Sequence, residues 1–567
     1  MKRCPECRRD YYDDTLLYCL DDGNALLEGP ASMDEPATAI LHATEPPSEA
    51  ATRAQIHTTE QTAILPTRIS GQDKKGLDKR LLVAPLLLVV IVLAGFLGFR
   101  YFKPSTSEQI RSIAVLPFQN KSGDADSEYL SDGLAESLIY RLSQIPEVTV
   151  SPRSSVFRYK GQDVDAEKVG NDLGVDAVMS GRMVQRGDNL TISVDLVDVK
   201  NKKTLWGEQF DRKMSDLLAT QREIAAAITQ KLQLKLSGDD AKGITKRYTD
   251  SNEAYEAYLK GRYYWNRRTA ENLNKAIEQF KSATERDPNF ALAFVGLADC
   301  YGLLTEYAGL PTSDALPQAK TFAERALTID PQLAEAHTSL AFIYEQLWQW
   351  SEAEKEYKRA IELNPTYPTT YHWYSIYLKD VGRNDEAAAA IKHAQELDPL
   401  SSVISVNVSR MYQVQNNTDS SIENSLKLIE LDPNYASGYQ YLGLSYTKKG
   451  RDAEAVTALE KAAELSKRSG VVIGDLGYVY AVSGKRDEAM SAIRELEEMY
   501  TRKEAVGHYI AGVYAALGEK NKAFEWLEKD LQARNGGLPE IRWQLQFESL
   551  RGEPRFKDLI KRMNLPE

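Results

Sequence analysis

Three of the four cysteines in this 567-residue chain stand near its start, as Cys4-Pro-Glu-Cys7 and Cys19. Two thiols with two residues between them form a knuckle that can grip a metal ion from one side. Cys19 follows twelve residues after Cys7, and Asp22 stands three residues further on. Zinc accepts thiolate sulfur and carboxylate oxygen in a tetrahedral shell, so Cys4, Cys7, Cys19 and Asp22 form a candidate Cys3Asp set. The expected role is structural, because fewer than thirty residues are too few to fold without such a staple. A redox Cys-x-x-Cys pair and unligated surface thiols are the alternatives. Other chemistry is absent. The chain has no His-Glu-x-x-His, no Gly-x-Ser-x-Gly and no kinase signature. The Asn120–Asp124 loop lacks a Gly-x-x-x-x-Gly-Lys phosphate cradle, and Cys300 reads as a buried structural thiol.

The cysteine pattern resembles a bacterial zinc ribbon, with Asp22 where the second knuckle usually carries a fourth cysteine. A ribbon acting on DNA would want a basic surface. Here Lys2, Arg3, Arg8 and Arg9 are outweighed by Glu6, Asp10, Asp13, Asp14, Asp21 and Asp22. The whole chain carries a net charge of −12, so nucleic acid is not the favoured partner. Four cysteines also exclude a disulfide-built scaffold.

The fold class expected is multi-domain: a small zinc ribbon, a single transmembrane helix, a mixed α/β domain and an all-α repeat solenoid. After the ribbon, residues 1–28, residues 29–73 are rich in Pro, Thr, Ala, Glu and Ser and read as a disordered linker. Within it, Thr38-Ala-Ile-Leu41 and Thr62-Ala-Ile-Leu65 resemble the phosphothreonine peptides read by forkhead-associated domains. Thr38 and Thr62 are therefore candidate phosphorylation sites, with chance in a Thr/Ala-rich segment as the alternative. Leu81–Phe99 is an uninterrupted uncharged run. At ~1.5 Å per residue it would match a ~30 Å hydrocarbon core, which places a transmembrane helix over 81–102. Lys74, Lys75, Lys79 and Arg80 outnumber Arg100 and Lys103. The positive-inside rule then gives a single-pass inner-membrane protein with a cytoplasmic N-terminus and extracytoplasmic C-terminal domains.

Residues 111–236 read as a mixed α/β domain. Ser112–Phe118 is a short apolar strand, and Leu130, Leu134, Leu138 and Leu142 repeat at helical spacing. Three period-2 segments follow, Ala177–Gln185, Leu190–Val199 and Thr204–Phe210, separated by turn residues. Ser215–Leu236 closes the domain as an amphipathic helix. The runs SIAVLPFQNKSGD (112–124), YLSDGLAESL (129–138), LGVDAVMSGRM (173–183) and LWGEQFDR (205–212) resemble the TolB amino-terminal-like domain. That domain is found beside helical repeats in membrane-bound bacterial regulators.

From residue 252 the chain repeats. Pro288, Pro331, Pro365, Pro399 and Pro433 each follow Asp or Asn, and the last four are spaced by 34 residues. Twelve residues before each anchor, real or projected, stand Ala276, Ala319, Ala353, Ala387, Ser421, Ala455, Ala489 and Ala523. Tyr344, Tyr412, Tyr446, Tyr480 and Tyr514 keep a second fixed offset. The small residue lets two helices approach closely, and the tyrosine fills the space beside it. This period and grammar resemble a tetratricopeptide repeat (TPR) solenoid. About eight repeats are expected over 252–535, with a nine-residue loop insertion near Tyr307–Pro317 and capping helices over 536–567.

Such arrays offer a concave face built from the first helix of each pair. The residues opposite the Leu442/Gly443/Tyr446 face are Gln440, Leu444, Thr447 and Lys448. Steps of the period carry the same face to His372, Ile376, Lys379 and Tyr478. His372, Lys379, Gln440, Lys448 and Tyr478 are thus the candidate partner-binding groove. The resemblance implies a non-enzymatic scaffold or sensor that binds a protein or peptide. A groove this exposed suits no small-molecule substrate. The rival expectations are a sensor subunit of a cyclase- or kinase-type system and a membrane-bound transcriptional regulator.

Overall fold

The computed structural model describes residues 2–3, 10–11, 27–28, 110–123, 127–145, 148–232, 246–308 and 310–565. The chain divides into two compact units, Met1–Phe102 and Lys103–Glu567. In the first unit, β1 (Lys2–Arg3) pairs antiparallel with both β2 (Asp10–Tyr11) and β3 (Leu27–Glu28).

The second unit begins with a mixed sheet. Its strands are β4 (Ser112–Val115), β5 (Gln119–Asn120), β6 (Thr149–Val150), β7 (Ala177–Arg186), β8 (Asn189–Asp198) and β9 (Lys203–Lys213). The strand order is β6-β4-β7-β8-β9, with β5 also pairing β7. β4 runs parallel to β6 and β7, and β7-β8-β9 is an antiparallel meander. The helices are α1 (Glu128–Ser143), α2 (Arg153–Phe157), α3 (Ala166–Leu173) and α4 (Leu217–Lys231). Asp165 accepts a hydrogen bond from the Glu167 N–H and so caps α3, which Gly174 ends at φ 64°. Gly181 on β7 leaves room for Phe118, whose ring would lie 2.2 Å from any Cβ added there. The leucine stripe Leu130, Leu134, Leu138 and Leu142 is buried against the sheet.

Eight helix pairs follow among the described residues. They are α5 (Asn252–Trp265) with α6 (Ala270–Arg286), α7 (Ala291–Tyr307) with α8 (Thr312–Ile329), α9 (Ala334–Gln346) with α10 (Trp350–Leu363), and α11 (Pro368–Asp380) with α12 (Asn384–Leu397). Next come α13 (Ser402–Val414) with α14 (Thr418–Leu431), α15 (Ala436–Lys448) with α16 (Asp452–Leu465), α17 (Gly470–Val482) with α18 (Arg486–Thr501), and α19 (Gly507–Ala516) with α20 (Lys520–Gln532). All eight small residues of the 34-residue pattern are fully buried, from Ala276 to Ala523. Gly443 shows how tight the crossing is: a Cβ there would lie 2.7 Å from Leu459 Cγ and 3.1 Å from the Ala455 carbonyl oxygen.

The Asp/Asn-Pro anchors have a physical role. Asp287, Asn364 and Asp432 each accept, through Oδ1, the backbone N–H two residues ahead. That Asx turn redirects the chain where proline forbids further helix. The expected insertion near Tyr307–Pro317 does not form a loop. It lengthens both helices of the second pair, α7 to 17 residues and α8 to 18.

The sheet domain and the first pair share one hydrophobic core. Ala254, Tyr255, Ala257 and Leu259 of α5 are buried with the leucines of α1. Gly133 of α1 admits Leu259, which would clash with a Cβ at 2.9 Å. The Tyr255 hydroxyl lies 2.7 Å from Ser137 Oγ and 2.8 Å from Gln221 Oε1.

Beyond α20 the chain forms two 3-10 helices, Leu538–Arg542 and Leu545–Leu550, and then α21 (Pro554–Arg562). Leu538, Ile541, Phe547 and Leu550 are buried in the main solenoid core. The Trp350 indole N–H donates to the Met563 carbonyl at 3.0 Å, joining the chain end to the third pair.

The expected single-pass localisation is corrected. No helix among the described residues is long and apolar enough to cross a membrane. The longest repeat helix, α8, carries Asp314, Lys320, Glu324 and Arg325, and the apolar faces of the repeat helices are spent on one another. The Leu81–Phe99 run lies outside the described residues.

Replacing Ala455 with Leu overpacks a fully buried crossing and should cost roughly 1–3 kcal/mol. Replacing exposed Lys448 should change stability by less than about 0.5 kcal/mol. Thermal melts of the two variants check this. Hydrogen exchange should show the loosening confined to α15–α18 and their neighbours, as expected where each repeat touches only the next.

Candidate partner-binding cavity

The first helix of each pair faces inward. Together these helices wall a cavity of about 2230 Å³, with the sheet domain at one end and the C-terminal segment at the other. The anchor turns of successive pairs hold both the sheet domain and the segment that leads from it into α5. Lys246 pairs with Asp330 at 2.5 Å, Thr249 donates to Asp287 at 2.5 Å, and Thr366 donates to the Ser143 carbonyl at 3.3 Å. Ser154 donates to Asp398.

The centre of this junction is Glu136 on α1. It pairs with Arg262 at 2.6 Å and Arg153 at 3.1 Å, and accepts from Asn266 at 2.8 Å. Burial alone would raise its pKa, but Arg262 and Arg153 outweigh burial and hold the carboxylate below its usual range.

At the other end, Glu540 is bonded to Arg410 and lies 3.4 Å from Lys379. Lys379 is 3.2 Å from Asp380. The Trp543 indole N–H donates to Asp380 at 3.3 Å, beneath the Lys379 ammonium at 3.8 Å. Burial opposes ionisation of Glu540, yet Arg410 and Lys379 bring it down to about 2. Asp475 accepts from Gln440 at 2.7 Å and from Gln546. Burial raises it to about 6 despite both bonds.

Of the groove residues read from sequence, His372, Gln440 and Lys448 line this cavity, and Lys379 and Tyr478 do not. His372, Lys379, Gln440 and Tyr478 are buried, and Lys448 is exposed at the rim with its ammonium 2.6 Å from Asn416 Oδ1. His372 accepts from the Asn407 amide at 2.8 Å. Burial, with help from Arg268 and Arg410, lowers its pKa to about 3. The imidazole is therefore neutral and fixed as an acceptor. Sequence reasoning missed Arg410 and Asp475. One period back from Leu444 falls on Arg410, so that signal was present. Glu540 and Trp543 lie outside the repeat and left none. Cys4, Cys7, Cys19, Asp22, Thr38 and Thr62 lie outside the described residues.

Among the described residues, no group of His, Cys, Asp and Glu could hold a metal ion. Cys300 is buried, and burial pushes its thiol up, away from nucleophilic use. Aromatic rings, amides and paired charges line an open cavity.

Comparison with known proteins agrees with the helical part. Residues 334–367 and 436–468 each match a tetratricopeptide repeat family. Residues 108–227 match the second domain of HilA/YgeH-like transcriptional regulators. A putative adenylate cyclase 3 of Rhizobium meliloti (strain 1021) is 31% identical over 248 residues, 43% of this chain and 42% of that protein. The transcriptional regulator HilA of Salmonella paratyphi A is 24% identical over 302 residues, 52% of each chain. The chain thus spans about half the length of the curated relatives it matches. Among solved structures, a TPR protein from Parabacteroides merdae aligns over 44% of this chain and 94% of its own, at 17% identity and TM-score 0.33.

Removing the Glu136 charge strands two arginines at a half-buried junction, which costs roughly 1–3 kcal/mol. Glu136→Ala should lower the melting temperature and expose α1 and α5 to hydrogen exchange. Because the folded pKa is depressed, the stabilisation is complete above the ordinary value of 4.5 and is lost as pH falls through the lowered one. A Glu136→Gln variant should therefore lose less stability than wild type between neutral pH and pH ~3.

Proposed function

We propose that this chain is a non-enzymatic protein-binding scaffold whose TPR superhelix and sheet domain together receive a polypeptide partner. The observation that carries the reading is the cavity of about 2230 Å³ on the concave face. Small-molecule sites run to roughly 300–1,000 Å³, so this space suits a chain segment. Its lining offers amides to a peptide backbone, Asn407, Gln413 and Gln440 among them, and rings such as Tyr307, Tyr435 and Tyr509 to side chains.

A second reading, the regulatory part of a signalling or transcriptional system, is favoured by the match of residues 108–227 and by the similarity to a cyclase and to HilA. On either reading the chain acts by binding. At the N-terminus we propose that Cys4, Cys7, Cys19 and Asp22 hold a structural zinc, supported by the three-thiolate, one-carboxylate donor set and its spacing. Thr38 and Thr62 remain candidate phosphorylation sites on the same footing.

Peptide-display selection on the full chain tests the scaffold reading. Enriched peptides should lose at least about tenfold in affinity on Arg268→Glu, a cavity-wall substitution. No enrichment, or binders indifferent to that change, overturns it. Metal analysis of the full chain should find about one zinc per molecule. Cys7→Ser should abolish it, and Asp22→Ala should only weaken it, because carboxylate is the poorest of the four donors.

A further inference from the structure

The C-terminal segment Gly536–Leu550 contributes to the wall of the cavity through Glu540, Trp543 and Gln546. Its two 3-10 helices, Leu538–Arg542 and Leu545–Leu550, are separated by Trp543 and an extended Gln544. Glu540, Trp543 and Gln546 stand three residues apart in the sequence, and each meets a different group of the repeats. Glu540 meets Arg410 and Lys379. Trp543 sits under Lys379 at 3.8 Å and Arg410 at 5.0 Å, with its N–H on Asp380. Gln546 donates to Asp475, beside Gln440. Lys379, Arg410, Asp380 and Asp475 come from α11, α13 and α17, three different pairs of the solenoid. Lys379, Asp380 and Asp475 are buried. The repeats supply the cations Lys379 and Arg410, with Asp380 beside Lys379, and Glu540 is the carboxylate shared between the two cations. The stretch that joins the segment to α20, Ala533-Arg534-Asn535, is largely exposed and holds a left-handed residue at Arg534.

We propose that Gly536–Leu550 is an internal ligand of the concave groove, and that the groove selects a peptide with an acidic residue, a tryptophan three positions on and an amide three further, flanked by apolar anchors. An external partner of that pattern binds by displacing the segment. This rests on the scaffold reading above and adds the ligand class and the gate.

A fluorescein-labelled peptide of residues 536–550 is titrated into the full chain and into its Glu540→Lys/Trp543→Ala double variant, with anisotropy as the readout. The double variant should bind at least tenfold more tightly than wild type, because its own segment no longer competes. Adding Arg410→Glu to that variant should abolish binding, and a peptide with Arg in place of Glu540 should restore it. A folded double variant that binds no better than wild type overturns the proposal, since the segment is then a fixed part of the fold. If the double variant does not fold, hydrogen exchange on the wild-type chain decides. Residues 536–550 must exchange faster than α15–α18, and faster again with excess peptide of the proposed pattern. Equal protection overturns the proposal. A display-selected peptide that binds the cavity without competing with the labelled peptide upholds the scaffold reading and sinks this one. If neither the labelled peptide nor any displayed peptide binds, the scaffold reading falls and this one with it.

Discussion

A small side chain at the crossing of each helix pair sets the geometry of the solenoid. Seven alanines and one serine occupy that place, all without solvent exposure. The close approach fixes how each pair turns relative to the next, and eight turns of similar size generate a concave interior. Ser421, the exception, keeps its hydroxyl satisfied by donating to the Ser409 carbonyl at 3.0 Å with Ser445 Oγ at 2.9 Å. A polar group in so tight a place is tolerable only because it is fully bonded. Repeat proteins are usually one-dimensional, each unit touching only its neighbours. Here the curvature brings the chain end back to the third pair at Trp350, so one long-range contact restrains the whole coil.

The anchor turns join this coil to the sheet domain with little added structure. An aspartate has two oxygens. In Asp287 and Asp330, Oδ1 accepts the backbone N–H of its own turn, while Oδ2 takes a group from the segment leading into α5. Asp398 takes Ser154 of the sheet domain directly. The residue type demanded by the repeat is therefore also the docking point. The sheet domain can span successive turns because those turns are evenly spaced by the period.

Much of this was legible in the residues. The strand alternation of Ala177–Gln185 and Leu190–Val199 and the leucine stripe of α1 each report a local burial pattern, and burial is what periodicity encodes. The 34-residue spacing reports a contact made between neighbours. The shared core of α1 and α5 was hidden, because Tyr255 and Leu259 look like any inward repeat residues and only Gly133 betrays the close approach. The two 3-10 helices were hidden for a different reason. Residues 536–550 carry neither the repeat nor a helical stripe, and their anchors are satisfied by residues more than a hundred positions away, such as Arg410. Groove positions could be projected by the period, but their covering could not.

The interior charges show why the covering matters. Glu345, Asp380 and Glu540 lie around Lys379 and Arg410, more carboxyls than cations. Burial, with the Asp380 charge, pushes Glu345 well up, and its carboxyl accepts from Tyr357 at 2.8 Å. Burial raises Asp380 as well, against the pull of Lys379. Only Glu540 is drawn far below the ordinary range. Buried ion pairs add little net stability, but an uncompensated buried cation is costly. Arg410 takes its ion pair from Glu540, a residue outside the repeats. The groove's charge is thus set for an acidic occupant, and which acidic segment fills it is decided by the fit of the aromatic and amide that follow.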